Sequence, residues 1–501
     1  MAKVNQLKIG AILSYVSIFA SIVAGILYTP WMIRQIGESD YGIYTLALSV
    51  ISLLLVDVGL SAATSRFVAK YRAENREAEI PTFLGMVYKI YLAIDALIFL
   101  ILLILYFCLD MIYVNFTDVE LEKFKVVFLI VGLYSLISFP CVTLNGILTA
   151  YEKFIPLKVA DFIQKIGAIC ITVVALLCGM GLYALVFVQA CFGLLAIIIK
   201  YFTVRKCTSI SFNHQSKEVC KEIAGFSVWS AIHNLAQRLI FNITPTVLGM
   251  TVANATTAIA VFGVVSNIEG YVYSLTTALN GLFLSKITRI LKAKDKENFL
   301  HLATQVGRFQ FWMNGLLVVG FMFVGKSFIR LWVGETFSQA YVGILLVIFP
   351  GLLFNSLQIF STALVTENHV KEQAFIQLIM GGVNLVLAFW FSSMWGVLGA
   401  FLSIFTAYLV RWILTLILIC QKLRIKLKDY VKNCYMKMSL PMCITGVIAF
   451  FITRNADTNT WGKFIMMGAM IVAVYVVSTF FLGLHKDERR KLLSGLRRKH
   501  S

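Results

Sequence analysis

Charge is scarce in this sequence: Asp, Glu, Lys and Arg make up 14% of its 501 residues, against about 25% in soluble globular domains. A chain so poor in charge, 59% hydrophobic and with a mean hydropathy of +0.84, excludes a water-soluble globule. Long polar links are missing too. None exceeds about 25 residues, short of the roughly 50 at which a domain begins, so no nucleotide-binding module and no large catalytic loop fits between the apolar runs. The alternation of apolar and polar residues that marks an outer-membrane barrel is absent. Paired cysteines are absent as well: ten Cys are scattered without a C-x-x-C. Only Cys108 and Cys178 fall near the expected outer face, so neither a disulfide framework nor a metal site is expected, and no cofactor. The cysteines read as buried membrane residues.

What fills the chain is about fourteen apolar stretches, each long enough to cross a bilayer core of roughly 30 Å. Seven run Ile9–Trp31, Gly42–Ala63, Leu84–Phe107, Val126–Leu148, Val159–Cys178, Leu182–Ile199 and Ala224–Met250. Seven more run Ala258–Ser285, Phe309–Val324, Tyr341–Leu364, Phe375–Met394, Leu398–Cys420, Met436–Ile452 and Phe464–Leu484. The fold class is all-α, polytopic in a membrane. The first stretch is too long for a signal peptide, carries Tyr15, Tyr28 and Trp31, and lacks a small-residue cleavage site, so it is expected to stay in the mature chain.

The net charge of +19 is a topology signal and not a nucleic-acid footprint. With the N-terminus inside, the cytoplasmic links hold about 33 of the 44 Lys and Arg and the outer links about 7. Both termini are therefore expected in the cytoplasm. The strongest contributors are Arg205, Lys206, Lys217 and Lys221, then Lys422, Arg424, Lys426, Lys428 and Lys432, then the tail with Arg489, Arg490, Lys491, Arg497 and Arg498. The tail also offers attraction to anionic membrane lipids. The outer loop with Asp118, Glu120 and Glu122 is acidic.

Gly320, Gly325, Lys326 and Ser327 fit the phosphate-loop pattern G-x-x-x-x-G-K-S. That chemistry needs a polar loop, whereas the residues between are Phe321, Met322, Phe323 and Val324, the end of a membrane stretch on the outer side. The match is rejected. The Asn115-Phe116-Thr117 sequon is too short a pattern to carry weight.

A charge at mid-bilayer costs about 2.5–3.5 kcal/mol on insertion scales and faces a cavity or a partner. The candidates are Asp57, Lys89, Asp95, Asp161, Lys165, Arg238, Glu269 and Arg411, with Arg238 and Glu269 nearest the centres of their stretches. Lys89, Asp161 and Lys165 lie close enough to the cytoplasmic ends to snorkel. Polar residues keep helical spacing around the two central charges: Ser230, Asn234, Gln237, Arg238 and Asn242 in the seventh stretch, and Ser266, Glu269, Tyr273, Thr276 and Asn280 in the eighth. The first stretch repeats this with Ser14, Ser17, Ser21, Gly25 and Tyr28, the tenth with Gly351, Asn355, Gln358 and Thr362. Packing by small and polar residues explains the Ser and Gly positions as well as a cavity does. Thr29-Pro30 recurs as Thr244-Pro245, each expected to begin the turn into the next helix, a hint of two parallel halves with a site between them.

Three blocks carry a family resemblance. Gly42–Tyr71, GIYTLALSVISLLLVDVGLSAATSRFVAKY, resembles the second helix and following loop of Wzx-type polysaccharide flippases. Phe328–Ala340, FIRLWVGETFSQA, resembles the outer loop after their ninth helix, and Gly396–Ser403, GVLGAFLS, the start of their twelfth. The resemblance implies a member of the multidrug/oligosaccharidyl-lipid/polysaccharide exporter superfamily, with two six-helix lobes (1–207 and 208–422) in a V, and two extra helices with a basic tail (423–501). Such proteins move undecaprenyl-diphosphate-linked oligosaccharides to the outer leaflet of a bacterial cytoplasmic membrane by alternating access.

For that cargo, Arg238, Arg411, Lys89 and Lys165 are the expected diphosphate contacts, Arg238 foremost. Asn234, Gln237, Asn242, Tyr273 and Asn280 suit sugar hydroxyls. Glu269 is the expected counter-ion or proton carrier, with Asp57, Asp95 and Asp161 as further candidates for coupling to H+ or Na+. Implied partners are a polysaccharide polymerase and a chain-length regulator. Many relatives carry an acidic residue near the position of Arg238, so coupling through the seventh helix departs from the family here. The rival readings are a drug/cation antiporter or a peptidoglycan-precursor flippase of the same fold, and a membrane polymerase or ligase. The enzyme reading fails on loop length, since the link around Asp110–Lys125 is short and acidic.

Overall fold

Long apolar runs have one single-segment solution in hydrocarbon, the α-helix, because it satisfies every backbone N–H and C=O within the segment. In the computed structural model 89% of the described residues are helical, and no strand occurs among them. The structure describes residues 2–55, 59–212, 231–277, 280–293, 295–425, 427–454 and 460–483; the side chains of 2–18, 62, 280–282, 284 and 285 fall outside that description. Asp57, Ser230, Lys217, Lys221, Lys426 and the basic tail therefore lie outside the described residues, as do the side chains of Ser14, Ser17 and Asn280.

Helices α1 (Ala2–Ile36) and α2 (Glu38–Leu54) are joined by Gly37 alone, at φ +88°, a backbone region open to glycine and costly for other residues. There follow α3 (Leu60–Ala73), α4 (Ile80–Ile112) and α5 (Asp118–Ser138). A reciprocal cap starts α5: Thr117 accepts from the Glu120 N–H while the Glu120 carboxylate accepts from the Thr117 N–H. Pro140 lacks an N–H and breaks the ladder, so the segment Pro140–Ala150, with α6 (Thr143–Ala150), leaves at 45°. Helices α7 (Phe154–Phe162) and α8 (Ala168–Leu177) form one span through a π turn at Ile163–Gly167. Then come α9 (Leu182–Arg205), a helical segment over 231–241, α10 (Thr244–Thr251), α11 (Ala255–Thr277), α12 (Asn280–Lys292) and α13 (Lys296–Trp332). The chain continues with α14 (Ser338–Asn355), α15 (Gln358–Thr366), α16 (Val370–Trp395), α17 (Val397–Leu418), α18 (Lys437–Thr453) and α19 (Trp461–Ser478).

Among the described residues ten helices are long and apolar enough to cross a membrane, or eleven when the bent pair counts as one span. Each falls on one of the expected stretches. The three stretches left over, Ile9–Trp31, Gly42–Ala63 and Ala224–Met250, all include residues or side chains outside the description. The tenth expected span is interrupted as well. The tenth ends as a helix at Asn355 because its carbonyls are taken by side chains: Tyr435 Oη and Ser356 Oγ donate to Leu353 O at 2.9 and 2.8 Å, and Tyr430 Oη donates to Ser356 O at 2.6 Å. Gln358 therefore opens a new helix and leaves the face assigned to it. In the eighth, Thr276 and Thr277 donate back to Val272 O and Tyr273 O at 2.8 and 2.7 Å, and residues 278–279 lie outside the description. The two Thr-Pro pairs also differ: Pro30 lies inside α1, which runs on to Ile36, while Pro245 sits in the first turn of α10, where a missing N–H costs nothing.

The chain divides into two compact units, one of Met1–Gly263 with Gln377–Ser403, the other of Val264–Ile376 with Ile404–Ser501. In the first, Phe67 and Tyr71 of α3 pack on Phe83 of α4. In the second, Phe299, Phe360 and Tyr430 stack edge to face in the core. Apolar side chains also cover the outside: Leu97, Phe99, Leu100, Leu103, Ile104 and Phe107 of α4 are all at least half exposed or nearly so. Such a face is stable against lipid and not against water. The same solvent corrects the expectation for cysteine, since Cys170, Cys178, Cys191, Cys420 and Cys443 are exposed and Cys434 is buried.

Candidate functional site

In the second unit the sequence places Glu269 and Tyr273 one turn apart on α11, and Tyr408 and Arg411 one turn apart on α17. Packing of these two helices brings the four together: the Arg411 guanidinium interacts electrostatically with Glu269, Tyr273 and Tyr408. Its Cζ also stands 3.6 Å from the centroid of the Phe354 ring on α14, a cation–π distance. A guanidinium is a planar cation whose N–H fork matches anionic and hydroxyl oxygens. The same unit holds a buried polar set: Asn355 Nδ2 donates to Thr276 Oγ1 at 3.4 Å and Gln310 Nε2 to Thr276 O at 3.2 Å.

The first unit holds two adjoining cavities of about 210 and 300 Å³ that share Gln164 and Gln189. The smaller is lined by Tyr44 and Ser52 of α2, Tyr134 and Ser135 of α5 and Gln189 of α9. The larger is lined by Ser21 and Gly25 of α1 and by Gln164 and Lys165 of the π turn. Tyr44 Oη donates to Gln189 Oε1 at 2.9 Å. Gly193 lets the Tyr134 ring lie against α9, where a Cβ would come within 2.1 Å of its hydroxyl. Arg238, on the segment 231–241, donates through Nη1 to the carbonyl of Ser52, itself a lining residue of the smaller cavity.

The other expected site residues are placed apart from these clusters. Lys89 Nζ donates to Phe212 O at 2.9 Å. Asp161 pairs with Lys200 at 2.8 Å and with Lys158 at 3.8 Å. Asp95 has a buried Oδ1 without a hydrogen-bond partner among the described residues. Asn234 is half-buried and Gln237 exposed, while Asn242 sits in the turn before α10. Gly320–Ser327 is helical throughout, within α13, so it offers no phosphate loop. No group of three or more His, Cys, Asp or Glu is placed to hold a metal among the described residues.

Sequence reasoning missed Tyr44, Gln164, Gln189, Tyr408 and Phe354. A signal existed for Gln189, the one amide or charged side chain between Leu182 and Ile199. Tyr408 and Phe354 gave none, being aromatic residues in apolar runs.

Comparison with known proteins places this geometry in context. A family model described as "Polysaccharide biosynthesis protein" matches residues 7–291. The uncharacterised membrane protein EpsK of Bacillus subtilis (strain 168) is 24% identical over 507 residues, covering 95% of each chain. The solved structure of the lipid II flippase MurJ in an inward closed conformation superposes with a TM-score of 0.74 at 15% identity, covering 94% of this chain and 98% of that one. An inward-facing multidrug resistance MATE family transporter of the MOP superfamily follows at 0.69 and 12% identity, covering 83% and 98%. These last two establish a common fold.

Proposed function

The chain is a member of the polysaccharide biosynthesis protein family, and from that premise we propose that it is a flippase for undecaprenyl-diphosphate-linked oligosaccharide repeat units. It carries them from the cytoplasmic to the outer leaflet of a bacterial cytoplasmic membrane, both termini inside, for assembly of O-antigen, capsule or exopolysaccharide. The observation that carries the reading is Arg411, a guanidinium on the membrane-crossing helix α17 set among Glu269, Tyr273 and Tyr408. A diphosphate cannot enter hydrocarbon without fixed cations, and Arg binds phosphate through two parallel N–H bonds.

Arg411 and Arg238 each serve as a diphosphate contact along the path, while Lys165 and Lys89 attract the cargo from the cytoplasmic end. Glu269 is the counter-ion of Arg411 in the empty carrier and exchanges that contact for H+ or Na+ when cargo binds, which links transport to an ion gradient. Two six-helix lobes, 1–207 and 208–422, alternate access to the site, and 423–501 adds two helices. The chain is a transporter without catalytic residues, and polymerase and chain-length regulator act on the cargo after it.

The test is deletion of the gene in its native host, with quantification of surface polysaccharide and of lipid-linked repeats on each leaflet. Loss of surface glycan with repeats retained on the inner leaflet supports the reading. Repeats gathered unpolymerised outside would point to a polymerase or ligase, and unchanged pools to a small-molecule antiporter.

A further inference from the structure

We propose that the paired cavities of the first unit are a subsite for an uncharged sugar ring of the cargo, with Lys165 meeting the phosphate beside it; this rests on the flippase reading. The lining chemistry selects the ligand class. Tyr44, Tyr134, Ser135, Gln164 and Gln189 all both donate and accept hydrogen bonds, as sugar hydroxyls do. A cation site needs acceptor-rich carboxylates, and neither cavity has one among its lining residues. A pure anion site presents donors only, and here Lys165 is the single charged lining group. What remains is a neutral, hydroxyl-rich ligand bordered by one negative charge, the polarity of a sugar next to its phosphate.

Size and rigidity agree. The larger cavity, about 300 Å³, stands at the lower end of small-molecule sites, and at roughly 30 Å³ per water it has room for about ten waters. An ion would leave most of it empty. The hydrogen bond from Tyr44 to Gln189 Oε1 fixes the amide, so its two N–H donors hold one direction. The π turn at Ile163–Gly167 brings two successive polar residues, Gln164 and Lys165, to the same cavity, although successive residues of an α-helix diverge by about 100°. A site built on such bonds discriminates strongly against ligands that lack the hydroxyls, which gives the carrier a means of reading its cargo.

The experiment uses the full chain in lipid nanodiscs and two probes: undecaprenyl diphosphate, and lipid-linked repeat units extracted from native-host cells lacking the gene. Wild type is expected to bind the sugar-bearing lipid at least about tenfold more tightly than the bare diphosphate. Gln164→Leu and Gln189→Leu should erase that ratio while the affinity for the bare diphosphate stays within about twofold, which also reports an intact fold. Tyr44→Phe, which removes one oxygen and keeps the cavity shape, should lose part of the ratio. Lys165→Met should weaken both probes. Equal affinity of wild type for the two lipids overturns the sugar subsite and leaves the flippase standing; failure to bind either lipid overturns the flippase reading itself. Competition by free monosaccharides of the repeat at micromolar level would reassign the cavity to a soluble sugar and overturn the proposal.

Discussion

Thr256 and Glu120, distant in sequence, meet at 2.6 Å, the threonine hydroxyl donating to the carboxylate Oε1. Ser39 donates to the same oxygen at 2.6 Å, and the Thr117 N–H and hydroxyl donate to Oε2 at 3.0 and 2.9 Å. One carboxylate thus ties the starts of α2, α5 and α11 within the first unit. Lys123 adds an ion pair to Asp40 at 2.6 Å, and Asn115 donates to Met250 O at 2.7 Å.

Glu120→Ala removes a charged acceptor from several donors at once and is expected to cost about 1.5–3 kcal/mol, the range for hydrogen bonds to charged groups. Thermal unfolding of the purified protein measures it. An unchanged melting temperature would show that the carboxylate does not hold the three helices.

At Gly42 a Cβ would collide with the Thr256 carbonyl oxygen, a backbone atom, whereas at Gly382 it would meet nothing within 4 Å. Gly42→Ala is expected to destabilise by about 1–3 kcal/mol through overpacking. Gly382→Ala, within helix α16, should be neutral or stabilising by up to about 1 kcal/mol. The two melting temperatures measured side by side decide it.

Lys200 is a buried cation, 8% exposed, whose partner Asp161 lies at 2.8 Å. Lys200→Met leaves the carboxylate to Lys158 at 3.8 Å and is expected to cost about 1–3 kcal/mol. The double variant Lys200→Met/Asp161→Asn should recover part of that loss, because the unpaired charge and not the pair itself is the main penalty.

Arg411→Ala should abolish export, leaving Glu269 without its cation, while Arg411→Lys retains charge without the planar fork or the same fit to Phe354 and should export at an intermediate rate. Arg238→Ala should likewise abolish export with the protein still in the membrane, and Arg238→Lys separates charge from geometry. Surface glycan measured at matched expression provides the readout; full export by Arg411→Ala would remove that residue from the transport path.

Apolar runs and charge bias made the fold class legible, because both are set residue by residue by the bilayer. Breaks within runs were not. The tenth run continues through Asn355, Ser356 and Leu357 without a Pro or Gly, and its interruption depends on Tyr430 and Tyr435, some eighty positions away. The central charges were equally visible, yet the cation whose field reaches Glu269 is Arg411, a relationship that depends on how α11 and α17 pack. Tyr44 and Gln189 illustrate the same limit: each is ordinary in its own helix, and their 2.9 Å bond exists only between helices.

The π turn at Ile163–Gly167 amounts to one surplus residue in an otherwise regular rod. Removing a single residue there would let the turn close as an α-turn and leave Ala168–Leu177 facing much as they do, whereas the same deletion in a regular helix would rotate everything after it by about 100°. Within this span the turn is therefore the place where a one-residue deletion is absorbed without turning the second half away from its neighbours, and what such a deletion would lose is the shared facing of Gln164 and Lys165 into one cavity.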